Sequence, residues 1–558
     1  MGDIYRSAEQ VVVWLGRSED HTENTFTVLK ALAKESEDSR TTGQTTEKEV
    51  QLSSDQQGRI EAIVEQPWFT RCWTVQEILL ARKCLVVSGW QSVSWDTLSR
   101  GIMYASAQER FWSPERSFGS SEQDFAELHS LEEALRCLKE RRDPNEQLLE
   151  LLARFRRRSA TDPRDKIYAF LGLVSNFTKL GFVMNYRISV EELYRNVAVE
   201  LILRSQSLAL LKFLPLSTYQ YDWRTLQKAR SRKERPIDTS EKHKAHSDFA
   251  KESESQINSD LNRSKLPSWT PDWERTEDIA APFDDRSGHQ FGVSYMASSV
   301  DLEDVAVSDD RAILTVAGYV FDTISEVTEI LPAIADLGIM DDEPYPDEDP
   351  EKEDEKGVRQ TFKEAFEQAD FGIRELYKLI WPLETLVRWE TFAGLPARAA
   401  DKDKAKEAVV DTYWQTLCAG ALLPAGLEAT RQSFWQWYHT MDPIRNWQQK
   451  WLKQLPFAKP MTFFGHAWKT WSSFSSFDKL YKVAFRRRMA KTKGGRLALV
   501  PRTTRIGDAI MLCRASRFPL VIRRDEDSDR WVFVGQAYIH RIGESDFDAS
   551  LCEKLHFE

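Results

Sequence analysis

A chain of 558 residues is too long for one ordinary hydrophobic core, and an apolar content of 41% is enough to fill three or four domains or one large composite body. Its formal charge of -11 argues against a general polyanion binder, because phosphate contacts need a dominant basic surface, so nucleic acid is not an expected partner. The six cysteines, at positions 72, 84, 137, 418, 513 and 552, contain no C-x-x-C pair, and no leader or membrane-length apolar run is visible; reduced thiols and a cytoplasmic location are expected.

In chain order, Asp3 to Gln10 reads as the end of a helix, and Val11 to Leu15, closed by Gly16, as a short buried parallel strand. Residues 22–33 return to helix, whereas Glu35 to Gly58, rich in Ser, Thr, Gln and charge, reads as a mobile surface insert. A helix over Trp68 to Lys83 follows, then a strand over Leu85 to Gly89, then a helix that Ser94 caps. Strand and helix alternate, which is an α/β pattern.

Asp162-Pro163 predicts a helix start, with a capping carboxylate and Pro at the first helical position, and Gly172 predicts its stop. Ser189 to Glu192 has the capping-box pattern and opens a helix to about Arg204. Lys228 to Ser264 is poor in apolar residues and reads as a disordered linker, as does the acidic run Asp341 to Glu355. Strands are expected at 305–307, 312–316, 319–324, 496–500, 509–513, 520–523 and 531–539. Between the two groups, a helical tract from Gln360 to about Trp471 carries nine of the 19 tryptophans, at 381, 389, 414, 435, 437, 447, 451, 468 and 471, which is core composition. Either strand group alone would expose an apolar face, so both are expected in one antiparallel β unit with the helical tract inserted between them.

Phosphate loops, dinucleotide fingerprints, H-E-x-x-H, G-x-S-x-G and paired Cys/His metal spacings are absent, so no cofactor and no metal are expected. Cys72 and Cys84 read as small buried hydrophobes. Glu77 carries the one serious chemical case. In a helical frame Trp73, Thr74, Leu80 and Ala81 flank it, while Arg71 and Arg82 fall toward the opposite side, so it has no cation at i±3 or i±4. Such a carboxylate must find a more distant partner, accept backbone N–H groups, raise its pKa or face a cleft. One reading gives it chemistry; the other has it tie its helix to Arg164 or a nearby backbone turn. The compact Asp162, Arg164, Asp165 cluster reads as a structural ion-pair network.

Three ordered motifs carry a family resemblance: Met1 to Gly16, with Trp14 and Gly16; Pro67 to Glu77, with Trp68, Arg71, Trp73 and Gln76; and Asp162 to Leu173, with Arg164, Asp165, Tyr168 and Gly172. Together they resemble the heterokaryon incompatibility (HET) domain of filamentous fungi, and the likeness continues in Leu266 to Trp273 and from Gly507-Asp508 to Gly543-Glu544. In that family the first motif follows Tyr-x-x-Leu-Ser-Tyr-x-Trp-Gly and Cys-Ile-Asn-Gln tracts that are absent here, so the resemblance implies a domain lacking its first half. It implies a part in self/non-self recognition and programmed cell death, through an unknown protein partner or self-association; the alternatives are a non-enzymatic interaction module, in which the Trp-rich tract or the β unit binds a partner, and a degenerate relic of such a protein. HET domains in turn resemble Toll/interleukin-1 receptor (TIR) folds, in which a short helix presents a glutamate to NAD; by that likeness Glu77 matches the glutamate, with Trp73 on the same face, although the nucleotide-contacting loops of the first half would be missing. The expected architecture is α/β, a partial TIR-like region, followed by an α+β body. Its parts are a partial HET domain over 1–205, a linker over 206–265, β-unit segments over 266–335 and 476–545, an acidic linker over 336–358 and the helical insert over 359–475.

Overall fold

The computed structural model describes residues 2–16, 22–42, 52–106, 128–135, 143–174, 184–214, 266–275, 290–291, 304–332, 382, 385–395, 407–423, 425–440, 482–525 and 528–558. Contacts divide the chain into two units, Met1–Ser205 with Asp272–Glu277, and Gln206–Pro271 with Asp278–Glu558. Lys228 to Ser264, the acidic run at 336–358, Cys137 and Trp381, Trp447, Trp451, Trp468 and Trp471 lie outside the described residues. The architecture is mixed, with helices and antiparallel-rich sheets.

In the first unit α1 (Gly2–Ser7) leads into β1 (Val11–Trp14), which pairs in parallel with β2 (Cys84–Ser88), Val11 opposite Cys84 and Trp14 opposite Val87. A tight turn with Gly89 at φ 59° then brings β3 (Gln91–Ser94) antiparallel to β2. Val11, Val13, Val86 and Val93 are buried on one face, whereas Val12 and Trp14, on the other, are each 56% exposed. The strand expected to be buried is therefore covered on one face only among the described residues.

The crossover from β1 to β2 also departs from expectation. α2 (Thr22–Thr42) runs well past residue 33, and α3 (Ser54–Val64) begins inside the stretch read as a mobile insert. Ser53 and Gln56 form a reciprocal capping box that satisfies the first turn of α3, and Ile60 and Val64 bury its apolar stripe. α5 (Trp95–Ser106) starts where Ser94 Oγ accepts the Thr97 N–H at 3.2 Å, and it packs on α2. At their crossing a Cβ on Gly101 would stand 2.5 Å from the Leu29 carbonyl oxygen. The unit is completed by α6 (Pro144–Arg154), α7 (Asp165–Leu171) and α8 (Val190–Ser205), with the Glu192 N–H donating to Ser189 Oγ at the start of α8.

In the second unit β4 (Gln290–Phe291) pairs with β7 (Ala421–Leu422), and the rest is one nine-stranded sheet. Its long member, β6 (Leu314–Val327), fuses two expected strands. Gly318, between the two expected strands, permits close approach: a Cβ there would sit 2.7 Å from the Leu512 oxygen. β6 pairs with β5 (Val305–Val307), β8 (Arg487–Thr492), β10 (Ala509–Cys513) and β14 (Glu553–Phe557). β10 continues to β11 (Leu520–Arg524) and β12 (Trp531–Gln536), and β12 meets β14, so these pairings return to β6 and close. β8 continues to β9 (Leu497–Pro501) and β13 (Tyr538–Ile539). β14 lies beyond the expected end of the β unit at residue 545. Around α9 (Glu407–Leu417) and α10 (Leu427–Thr440), Trp389, Trp414 and Trp437 are buried with Phe434, Met489 and Leu499 in one core. Among the described residues no helix is long and apolar enough to cross a membrane.

Gly101→Ala forces α2 and α5 apart at a backbone carbonyl, so it should lower unfolding stability by about 1–3 kcal/mol, read as an earlier denaturant midpoint.

Candidate functional site

The expected helix over Trp68 to Lys83 is broken. A 3-10 turn covers Pro67–Thr70, Arg71 is extended at φ -89°, ψ 141°, and α4 spans only Thr74–Leu79. The backbone at 70–72 is spent on another segment: the Cys72 N–H donates to the Ser159 oxygen at 2.9 Å and the Ser159 N–H donates to Thr70, forming a parallel bridge. A helix there would have consumed those groups internally.

Buried cations clamp this crossing. Arg158, 1% exposed, donates to Thr74 Oγ1 at 2.9 Å and to the Arg71 oxygen at 3.3 Å. Lys166, from α7, donates to the carbonyls of Arg156 (2.9 Å) and Arg158. Arg156 donates to the carbonyls of Asp272 and Arg275 and stacks over Trp273; burial lowers its pKa to about 9. The same packing joins α4 to α7 through Gln76, whose Nε2 donates to the Ala169 oxygen at 2.7 Å and fills the space beside Gly172.

Glu77 is half-buried at the outer end of this frame. Its Oε2 accepts the Trp68 indole N–H at 3.0 Å, and its Oε1 faces the Tyr5 hydroxyl at 3.5 Å. Tyr5 comes from α1, so two of the three motifs meet at one carboxylate. No ion pair to Glu77 is present among the described residues, and Arg164 is held elsewhere by Asp162. The Tyr5 pKa is raised by burial and then by the Glu77 charge. Cys84, at the start of β2, is half-buried rather than fully buried, and burial followed by the Glu77 charge pushes its thiol up to about 12. The site is thus an anion held by neutral donors, with a protonated thiol beside it. The sequence places Trp73 on the Glu77 face, but Trp73 is the N-cap of α4 and the indole that donates is that of Trp68; Tyr5, 72 residues away, gives no local signal.

Residues 1–77 match the family model described as heterokaryon incompatibility protein (HET), a match that ends at Glu77. The chain is 24% identical over 381 residues to heterokaryon incompatibility protein 6, OR allele, of Neurospora crassa, covering 59% of this chain and 48% of that protein. Over these residues the chain is similar to the HET family. The chain spans about half the length of the curated relative it matches. No solved structure matches it.

The other residues singled out in the sequence separate in space by role. Asp162 and Arg164 form a two-pronged pair, 2.9 Å on both prongs, and that hydrogen bond holds the Asp162 carboxyl below its ordinary range. Arg164 also donates to the Tyr186 and Ile188 carbonyls, while Tyr186 donates to Asp165 at 2.6 Å and Tyr168 to the Asn185 oxygen at 2.9 Å. Asp162 and Pro163 lie in the turn that leads into α7, which starts at Asp165, and the Asp162 carboxylate accepts the Arg164 N–H at 3.0 Å as a capping side chain does. Gly16, at φ 109°, accepts the Gly89 N–H and ends β1. Arg71 and Trp14 are exposed, and Trp14 is not part of the Glu77 cluster.

Lys166→Met removes the ammonium from two buried carbonyls, so stability should fall by roughly 1–3 kcal/mol, measured by denaturant unfolding. A thiol held near 12 is almost wholly protonated at pH 8, so Cys84 should react with iodoacetamide far more slowly in the folded protein than after denaturation, and Glu77→Gln should speed the folded reaction; mass spectrometry of the Cys84 peptide reads both.

Proposed function

We propose that the chain serves fungal self/non-self recognition as an HET-domain component of incompatibility-triggered programmed cell death, acting in the cytoplasm, and that Glu77 is its working carboxylate. The observation that carries this reading is Glu77 itself, oriented by the Trp68 indole and the Tyr5 hydroxyl with no countercharge in ion-pair range among the described residues. The Neurospora relative's name supports the biological setting.

The TIR-like reading assigns NAD as substrate. The anion would accept hydrogen bonds from the nicotinamide ribose hydroxyls and stabilise positive charge on the ribose as the glycosidic bond breaks. Nicotinamide leaves with the bonding electrons, and water adds to the ribose carbon and loses its proton. The neutral donors orient the carboxylate without cancelling its charge. The proposed domain plan keeps the partial HET domain at 1–205 and treats the Trp-rich tract at 359–475 as an insert into a β unit.

A second reading, a non-enzymatic interaction module, rests on the exposed Val12, Trp14 and Trp90 of the first unit. NAD levels separate the two readings, since a binding module leaves them unchanged.

In the full protein expressed in its fungal host, Glu77→Gln should abolish cell death and nicotinamide release while changing stability by less than about 0.5 kcal/mol. A loss of roughly 1–3 kcal/mol would assign the carboxylate to structure instead, through its lost hydrogen bonds. Full activity at wild-type stability would remove Glu77 from both roles.

A further inference from the structure

α1 is a helix of six residues, none of them buried, so core packing does not fix the element that brings Tyr5 to the site. Among the described residues, two side-chain hydrogen bonds tie it to the rest of the unit. Tyr5 donates to Glu77 at 3.5 Å, and Arg6 donates to the Gly172 oxygen. The ion pair of Arg6 with Asp3 lies within α1 and anchors the helix to nothing outside itself.

Gly172 is the C-cap of α7, where the last carbonyls of a helix have no intrahelical donor and a cationic side chain is well placed to serve them. The same turn anchors α4, through Gln76 and the Ala169 oxygen. The approach is close on both sides: a Cβ on Gly172 would stand 3.0 Å from Gln76 Nε2, and a Cβ on Gly2 would stand 3.4 Å from the Gly172 oxygen and 3.2 Å from Leu80 Cδ1. Two pairs of chain neighbours thus share one pattern. Arg6 and Gln76 grip the end of α7, and the residues beside them, Tyr5 and Glu77, meet at the site.

We propose that Arg6 is a positioning residue for the Glu77 site: by holding α1 to the C-terminal turn of α7, it keeps the Tyr5 hydroxyl on the carboxylate whose helix Gln76 fixes from the other side. A part in catalysis rests on the reading of Glu77 as the working carboxylate; the positioning itself does not.

The test places 3-fluorotyrosine at position 5 of the full chain and follows its fluorine resonance against pH. Burial first, then the Glu77 charge and hydrogen bond, raise the Tyr5 pKa against the opposing charge of Arg71, so the label should titrate above free fluorotyrosine. Arg6→Ala should lower that value toward the free one and leave the denaturant midpoint unchanged, because α1 buries no residue. Loss of a cation by itself raises the pKa of an acid, so a fall reports displacement of the phenol and not the missing charge. The fall should be smaller in a Glu77→Gln background, where only burial is left to lose. In the full protein expressed in its fungal host, Arg6→Ala should slow nicotinamide release about tenfold. A label pKa unchanged or raised by Arg6→Ala, an equal fall in the Glu77→Gln background, or a lowered pKa with release at the wild-type rate would each overturn the proposal. A wild type that releases no nicotinamide would sink the reading of Glu77, and the fluorine titration would still decide Arg6.

Discussion

The crossing of residues 70–72 over Ser159, held by Arg158 and Lys166, is the constraint on which the first unit depends. Ordinary helix formation would satisfy the backbone of 68–83 internally. Here the chain gives up that continuity so that three residues can bridge a distant segment; Arg158 reaches the Arg71 carbonyl and Thr74 hydroxyl that the break leaves accessible, and Lys166 holds the Arg156 and Arg158 carbonyls of the bridged segment. A hydrogen bond from a charged donor is stronger than a neutral one, which suits sites where water is excluded. The cost is desolvation, visible in the lowered pKa of Arg156.

Glu77 follows from that break. A continuous helix would have carried Trp68 round the axis with the rest of the turn, nine residues from Glu77. With Arg71 extended, the 3-10 turn can lay the Trp68 indole against the carboxylate, while Phe69 anchors the turn in the core. The Trp68 ring also packs edge-on to Phe69 and near Trp95 from α5. The orientation of the carboxylate is therefore set by packing on three elements, which is how a site keeps its geometry without a cation.

The second unit shows the same trade between local pattern and distant contact. Gly318 lies in mid-strand because β10 approaches too closely for a side chain, and β6 is long because it pairs along its length with β5, β14, β10 and β8 in turn. The described tryptophans of the helical tract do the work of bulk: Trp389 and Trp414 are fully buried, and their indole N–H groups reach the Glu329 oxygen and Asp411.

By itself the sequence determined the short strands of β-branched residues, such as 11–14, 305–307 and 509–513, and the helices whose caps are encoded within four residues, at Ser94 and Ser189. Those depend on alternation and on side chains that reach their own backbone, and both are local. It also singled out Glu77, because the lack of a neighbouring cation is visible along the chain. The tertiary structure alone decided that the helix breaks at Arg71, that α3 folds within a polar stretch, that Tyr5 and Trp68 rather than Trp73 hold the carboxylate, and that the strand closing the β6 ring lies at 553–557. Each of these is fixed by a partner tens or hundreds of residues away, and a window of one or two turns contains no information about which backbone groups a distant segment will claim.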